Sequence, residues 1–202
     1  MDRGDYPRAE ELAGRALELY GAEHRNLPKL AHDTVQIWLR TQKYVLALPV
    51  LDALLPYLSL SHERIRVLAS LSRAAGATGD EAAFEVAWQG AWRLIETPTA
   101  EVARTLPAVL VDLGAGAASL ERWSLAQDAL TRAAAAAEEW DDYAKAAEAE
   151  QALLAVEQRT PGTTPRRITT HEAASLSRSL VANLQGIATR TRRGRVIERR
   201  TT

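Results

Sequence analysis

Cysteine is absent from the 202 residues, which excludes a disulfide framework, thiolate chemistry and cysteine-ligated metals. Aromatic residues are scarce at 5%, although the hydrophobic fraction of 47% is that of a globular chain. Alanine fills the difference; it favours helix and lets helices approach closely, so composition leans all-α. No apolar run approaches the roughly 20 residues that span a bilayer. The opening Asp2-Arg3-Gly4-Asp5 does not read as a secretory leader, and a cytoplasmic setting is the expectation. Nowhere do Val and Ile alternate with polar residues over a strand length, so no β-sheet is expected. At this length the chain forms one or two domains with a sizeable core.

What is present is a recurring pattern. Gly4-Asp5-Tyr6-Pro7-Arg8-Ala9 leads to Ala16-Leu17-Glu18-Leu19, and Lys43-Tyr44 leads through Ala47 and Leu51 to Leu54. Gly79-Asp80-Glu81 leads through Phe84 and Trp88 to Ala91-Trp92-Arg93-Leu94, and Arg122-Trp123 through Ala126 and Leu130 to Ala133. Aligned on Ala9, Ala47, Phe84 and Ala126, the copies lie 38, 37 and 42 residues apart. Such periods mark stacked helical hairpins, because one hairpin cannot bury its apolar face alone.

Punctuation places helices near 5–20, 28–41, 44–57, 62–76, 80–96, 100–117, 121–138, 140–158 and 170–189. Pro49 should kink the third helix or delay its start, and Pro107 should do the same to the sixth unless that helix begins near it. Residues 159–167 read as a Pro/Gly/Thr linker. Beyond it, Thr169 and Glu172 make a capping box for an amphipathic helix over 168–189. Leu176, Leu180, Leu184 and Ile187 form its stripe, which should dock on the end of an array spanning 1–158. Residues 190–202 are arginine-rich and expected to be disordered. Residues 159–202 carry ten arginines against Glu172 and Glu198, so a basic tail follows an acidic body within a net charge of -1. Without interleaved aromatics, that tail would bind nucleic acid only weakly and without sequence preference.

The four copies resemble tetratricopeptide repeats over roughly residues 4–138. The second-helix signature is nearly complete from Gly4 to Leu19. The first-helix signature, a large apolar residue then Leu-Gly, stands at Leu110 and Leu113-Gly114, weakens to Leu68 and Leu71-Ser72, and becomes Thr34-Val35 with Trp38 in the second copy. The resemblance implies a right-handed α-solenoid of antiparallel hairpins that binds another protein or peptide and needs no cofactor. Helix 5–20 lacks the first helix of its own hairpin. Its face of Leu12, Ala16, Leu19 and Tyr20 belongs either to a longer array or to another chain, with self-association through this helix as one outcome.

No constellation supports catalysis. His62-Glu63 lacks the second histidine of a zinc-protease motif, since Arg66 stands in its place. It reads instead as a first helical turn capped by Ser61. Gly114-Ala115-Gly116 follows no strand and reads as close helix packing rather than a phosphate loop. The tryptophans at 38, 88, 92, 123 and 140 read as core.

One polar cluster invites a partner: Lys29, His32, Gln36 and Arg40 share a helix face, extended in the next repeat by Arg66, Ser70 and Arg73. By the resemblance these positions line the concave groove, where donors suit an acidic peptide or a free C-terminal carboxylate. The alternative is a solvated face. A second functional class is a ligand- or partner-sensing module of a bacterial transcription or signalling protein.

Overall fold

The computed structural model describes residues 5–21, 24–159 and 170–198. The chain divides into two compact units, one formed by residues 1–57 with 167–202 and the other by 58–166. All regular structure among the described residues is helical, and no helix there is long and apolar enough to cross a membrane. The expected absence of strands holds for these residues.

The first unit contains α1 (Tyr6–Tyr20), α2 (Leu27–Arg40), α3 (Tyr44–Leu54) with a 3-10 turn at Leu55–Tyr57, and α10 (His171–Glu198). Asp5 caps α1 by accepting from the Arg8 amide at 3.1 Å, and Pro7 in the first turn loses no helical bond. Pro49 does not delay α3, which starts at Tyr44 and carries the proline inside with its ring toward solvent. α1 packs on α2 and α2 on α3, whereas α10 packs mainly on α3 and also touches α2 and α1. Leu176, Leu180 and Leu184 of the expected stripe are buried, as is Ala173 beside it, and Ile187 is half-buried. Ser177 Oγ, also buried, donates to the Leu46 carbonyl at 2.9 Å.

Three expectations change here. A single array over 1–158 gives way to two units, with α10 in the first rather than on the array's end, because α3 presents the apolar face that the stripe covers. The helix does not stop at 189: its backbone continues to Glu198, so a disordered tail from 190 is replaced by helix up to that point. Its cap is Thr170, which accepts from the Ala173 amide at 3.2 Å; Thr169, the linker residues 160–167 and the last residues 199–202 lie outside the described residues.

The second unit contains α4 (Ser61–Thr78), α5 (Glu81–Glu96), the short α6 (Ala100–Ala103), α7 (Leu106–Ser119), α8 (Trp123–Glu139) and α9 (Tyr143–Glu157). The single helix expected over 100–117 is two, since Pro107 sits in the first turn of α7 and cannot continue a helix from upstream. Ser61 is the first residue of α4 and makes no capping bond. α4 packs on α5, α7 on α8 and α8 on α9; α4 also packs on α7 and α7 on α9, and the short α6 touches α4 and α5. The helices therefore succeed one another as hairpin-like pairs.

Four joints across the molecule share one backbone device. Gln42, Gly79, Glu121 and Asp141 take left-handed φ of 59°, 76°, 57° and 53°. The next amide in each case bonds back five residues: Lys43 to Trp38, Asp80 to Ala75, Arg122 to Ala117 and Asp142 to Ala137, at 2.8–2.9 Å. This is the six-to-one bond of a Schellman turn, which satisfies carbonyls that the helix end leaves orphaned.

Where α4 meets α7 the backbones nearly touch. A Cβ on Gly76 would lie 2.2 Å from the Gly116 carbonyl oxygen, and one on Gly116 would lie 2.6 Å from that of Ser72. The Gly114-Ala115-Gly116 run is thus a packing device inside α7.

Candidate partner-binding surfaces

Helix α2 buries Leu27, Ala31, Val35 and Trp38 and turns Lys29, His32, Gln36 and Arg40 the other way. Lys29 and Arg40 are exposed, and His32 and Gln36 are half-buried. The face is less basic than its donors imply, because Asp33 belongs to it. Lys29 Nζ lies 3.6 Å from Asp33 Oδ2, and His32 Nδ1 lies 3.5 Å from Oδ1. Arg40 sits in the last turn, where the helix dipole favours a cation.

The continuation on α4 comes out differently. Arg66 is exposed, but Ser70 is buried and its hydroxyl donates to Asp112 Oδ2 of α7 at 3.3 Å. Arg73 donates to Asp112 Oδ1 at 2.8 Å. Ser70 and Arg73 are thus tied to one carboxylate across the α4–α7 packing, and the expected donor-rich extension reduces to Arg66. Lys29, His32, Gln36 and Arg40 lie in the first unit and Arg66, Ser70 and Arg73 in the second.

The tryptophans divide. Trp38 and Trp88 are core, Trp92 and Trp123 are half-buried, and Trp140 at the end of α8 is 43% exposed, with the Arg104 guanidinium 5.7 Å from its ring. Trp140 departs from the expectation because it stands past the last turn of α8. On α5, Phe84, Trp88 and Trp92 follow one another one turn apart, Trp88 and Trp92 stacking at 5.0 Å. Arg122 lies 5.0 Å over Phe84 and Arg132 lies 5.0 Å over Trp92, so arginines from the α8 end of the hairpin clasp both ends of the ladder. Arg122 also bonds Glu85 at 2.7 Å and Glu81 at 3.3 Å. The Arg122 bond, helped by Gln89, holds the Glu85 carboxyl below its ordinary pKa, and the same bond raises that of Arg122. The Glu101 carboxyl is also lowered, by its own backbone amide and by Thr99.

One feature had no sequence signal. Glu10 of α1 accepts from Trp38 Nε1 at 2.8 Å and pairs with Lys43 Nζ at 2.5 Å. Beside this partly buried pair lies an open cleft of about 770 Å³ between α1 and the start of α10, lined among others by Arg15, Glu18, His171 and Ser175. It is mixed in charge, and its far wall comes from a helix over a hundred residues away in sequence. Among the described residues, no three His, Asp or Glu side chains converge as metal ligands would.

No family model, no curated protein and no solved structure matches this chain.

Proposed function

We propose that the chain is a tetratricopeptide-like helical-repeat scaffold, without an active site, that works in the cytoplasm by holding a partner protein or peptide. The observation that carries this reading is the order of packing in the second unit: hairpin α4–α5, then α7–α8, with the first helices α4, α7 and α9 each in contact with the next. Repeat scaffolds are built in this manner, and their first-helix faces offer a rigid binding surface. The Schellman joints at Gln42, Gly79 and Glu121, 37 and 42 residues apart, and the glycine crossing of α4 on α7 support it.

The partner segment is acidic or ends in a free carboxylate, and meets Lys29, His32, Gln36 and Arg40 on α2, with Arg40 as the principal contact. Selection from a displayed library of acidic and free-carboxylate peptides tests this directly. The expected result is enrichment of peptides whose affinity falls about tenfold or more in Arg40→Glu, as loss of a charge-assisted hydrogen bond requires. Melting should stay within about 0.5 kcal/mol, because Arg40 is exposed. No enrichment, or enrichment indifferent to Arg40→Glu, would remove α2 as the site.

A further inference from the structure

Two helices in this chain present an outward apolar stripe that nothing among the described residues covers. On α1, Leu12 is 49% and Leu19 86% exposed, with half-buried Ala16 between them. On α9, Tyr143 is 77% and Leu154 57% exposed, with exposed Ala147 between them. Residues spaced by three, four and seven share a helix face, so each set is one stripe.

The flanks of the two stripes carry opposite charge at the same spacing. Arg8 and Arg15 border the α1 stripe on one side, seven residues apart. Glu150 and Glu157 border the α9 stripe on the corresponding side, also seven apart. When two helices face each other antiparallel, like flanks meet. Arg8 then comes beside Glu157 and Arg15 beside Glu150, while Leu12 comes beside Leu154 and Leu19 beside Ala147 and Tyr143. A parallel arrangement would place the charged flanks on opposite sides. Arg8 and Arg15 now share Glu11 through exposed pairs at 2.5 and 3.0 Å. Such pairs hold little energy and can be exchanged. Glu150 and Glu157 make no ion pair among the described residues.

We infer that the occupant of each stripe is the other stripe on a second copy of this chain: α1 of one molecule docks antiparallel on α9 of the next. Such a contact joins two different surfaces, so copies add head to tail and either close into a ring or continue. This does not depend on the α2 face proposed above, which uses other residues.

Sedimentation of the full chain from about 1 μM to about 1 mM, the range of weak self-association, tests it. Association rising with concentration and passing beyond the dimer is expected. Leu12→Glu and Leu154→Glu should each weaken it by about tenfold or more, the worth of one buried leucine. Both residues are exposed, so melting of each variant should match the parent. An equimolar mixture of the two variants is decisive, because one keeps a free α9 stripe and the other a free α1 stripe. The mixture should associate and stop at dimers. Arg15→Glu should weaken self-association, and Glu150→Arg in the same chain should restore it. A parent that stays monomeric throughout overturns the proposal. So does a mixture that stays monomeric, or one variant that associates as the parent does.

Discussion

The two units solve the same problem, burying helices, in opposite ways. In residues 58–166 each of the long helices packs on the next or on its counterpart one hairpin along, and close approach comes from small residues: Ser72 and Gly76 of α4 against Gly116 of α7, with Ala69, Ala87, Ala91, Ala117, Ala126 and Ala133 buried elsewhere in the unit. In the first unit the α3 face is covered by a helix more than a hundred residues later, and the buried side chains are large: Leu51 and Leu54 on α3, Leu180 and Leu184 on α10. Hairpin packing closes short loops, and the α4–α7 crossing one hairpin along tolerates no added atoms. Packing on α10 closes a long loop, whose cost grows only slowly with length, and it rests on leucines that could fit many apolar faces. One unit is specified by shape and the other by a single late partner.

The largest expected effect strikes that late partner. Leu180 is fully buried, so Leu180→Asp places an unpaired carboxylate in the core and should cost about 4 kcal/mol or more. If the units are as different as their packing, calorimetry should show the first unit melting early while residues 58–166 keep their transition. A single shifted transition for the whole chain would mean that the two units fold as one.

Next comes the glycine crossing. Gly76→Ala puts a methyl against the Gly116 backbone, which cannot move aside as a side chain can, and should cost about 3 kcal/mol. Gly90→Ala is the control. Its Cβ would meet only the tip of Leu68 at 3.2 Å, and helix propensity returns up to about 1 kcal/mol. Chemical denaturation of both variants should separate them clearly. Equal effects would mean that α4 and α7 have freedom to part.

In the first unit, Glu10→Ala should cost about 1–3 kcal/mol, because it leaves the Trp38 indole N–H and Lys43 without their acceptor. Tryptophan fluorescence should register the change at Trp38 during unfolding. Glu10→Gln keeps an acceptor for the indole and should lose less.

How far the sequence foretold this follows from the same contrast. Gly79 marks its joint because glycine enters the left-handed region freely, whereas Gln42 and Glu121 leave no such trace and their joints show only through the repeat that begins at Lys43 and Arg122. Pro107 marked the start of α7 as one of two readings, since proline excludes helix upstream but does not fix which side survives. Ser70 and Arg73 suit a groove only while α4 is weighed alone, since both bond Asp112 of α7. Asp112 lies 42 residues after Ser70, one repeat along, and is the lone charged residue of α7; that offset was the signal that could have paired them. The place of α10 left no such trace. Its leucines state that it docks, and nothing local states where. The α1–α10 cleft is hidden for the same reason.

The smallest effect tests whether polar clasps matter in the neighbour-packed unit. Arg122 bonds Glu85 and Glu81 of α5 from the residue before α8, so the pair reinforces a hairpin junction that shape already specifies. Glu85 has its pKa lowered in the folded chain from an ordinary 4.5, chiefly by Arg122. The unfolded state therefore binds the proton more readily. The stabilisation is fully present above about pH 4.5 and is lost as pH falls through the lower folded value. Both side chains are substantially exposed, so the pair should contribute less than about 1 kcal/mol. Glu85→Gln should lower stability slightly at pH 7, and the difference should vanish once the pH falls below the folded value, flattening the acid limb by that amount. Salt should shrink the difference at pH 7. A loss of several kcal/mol would show instead that the clasp over Phe84 holds α5 and α8 together, and that the second unit also depends on particular polar partners.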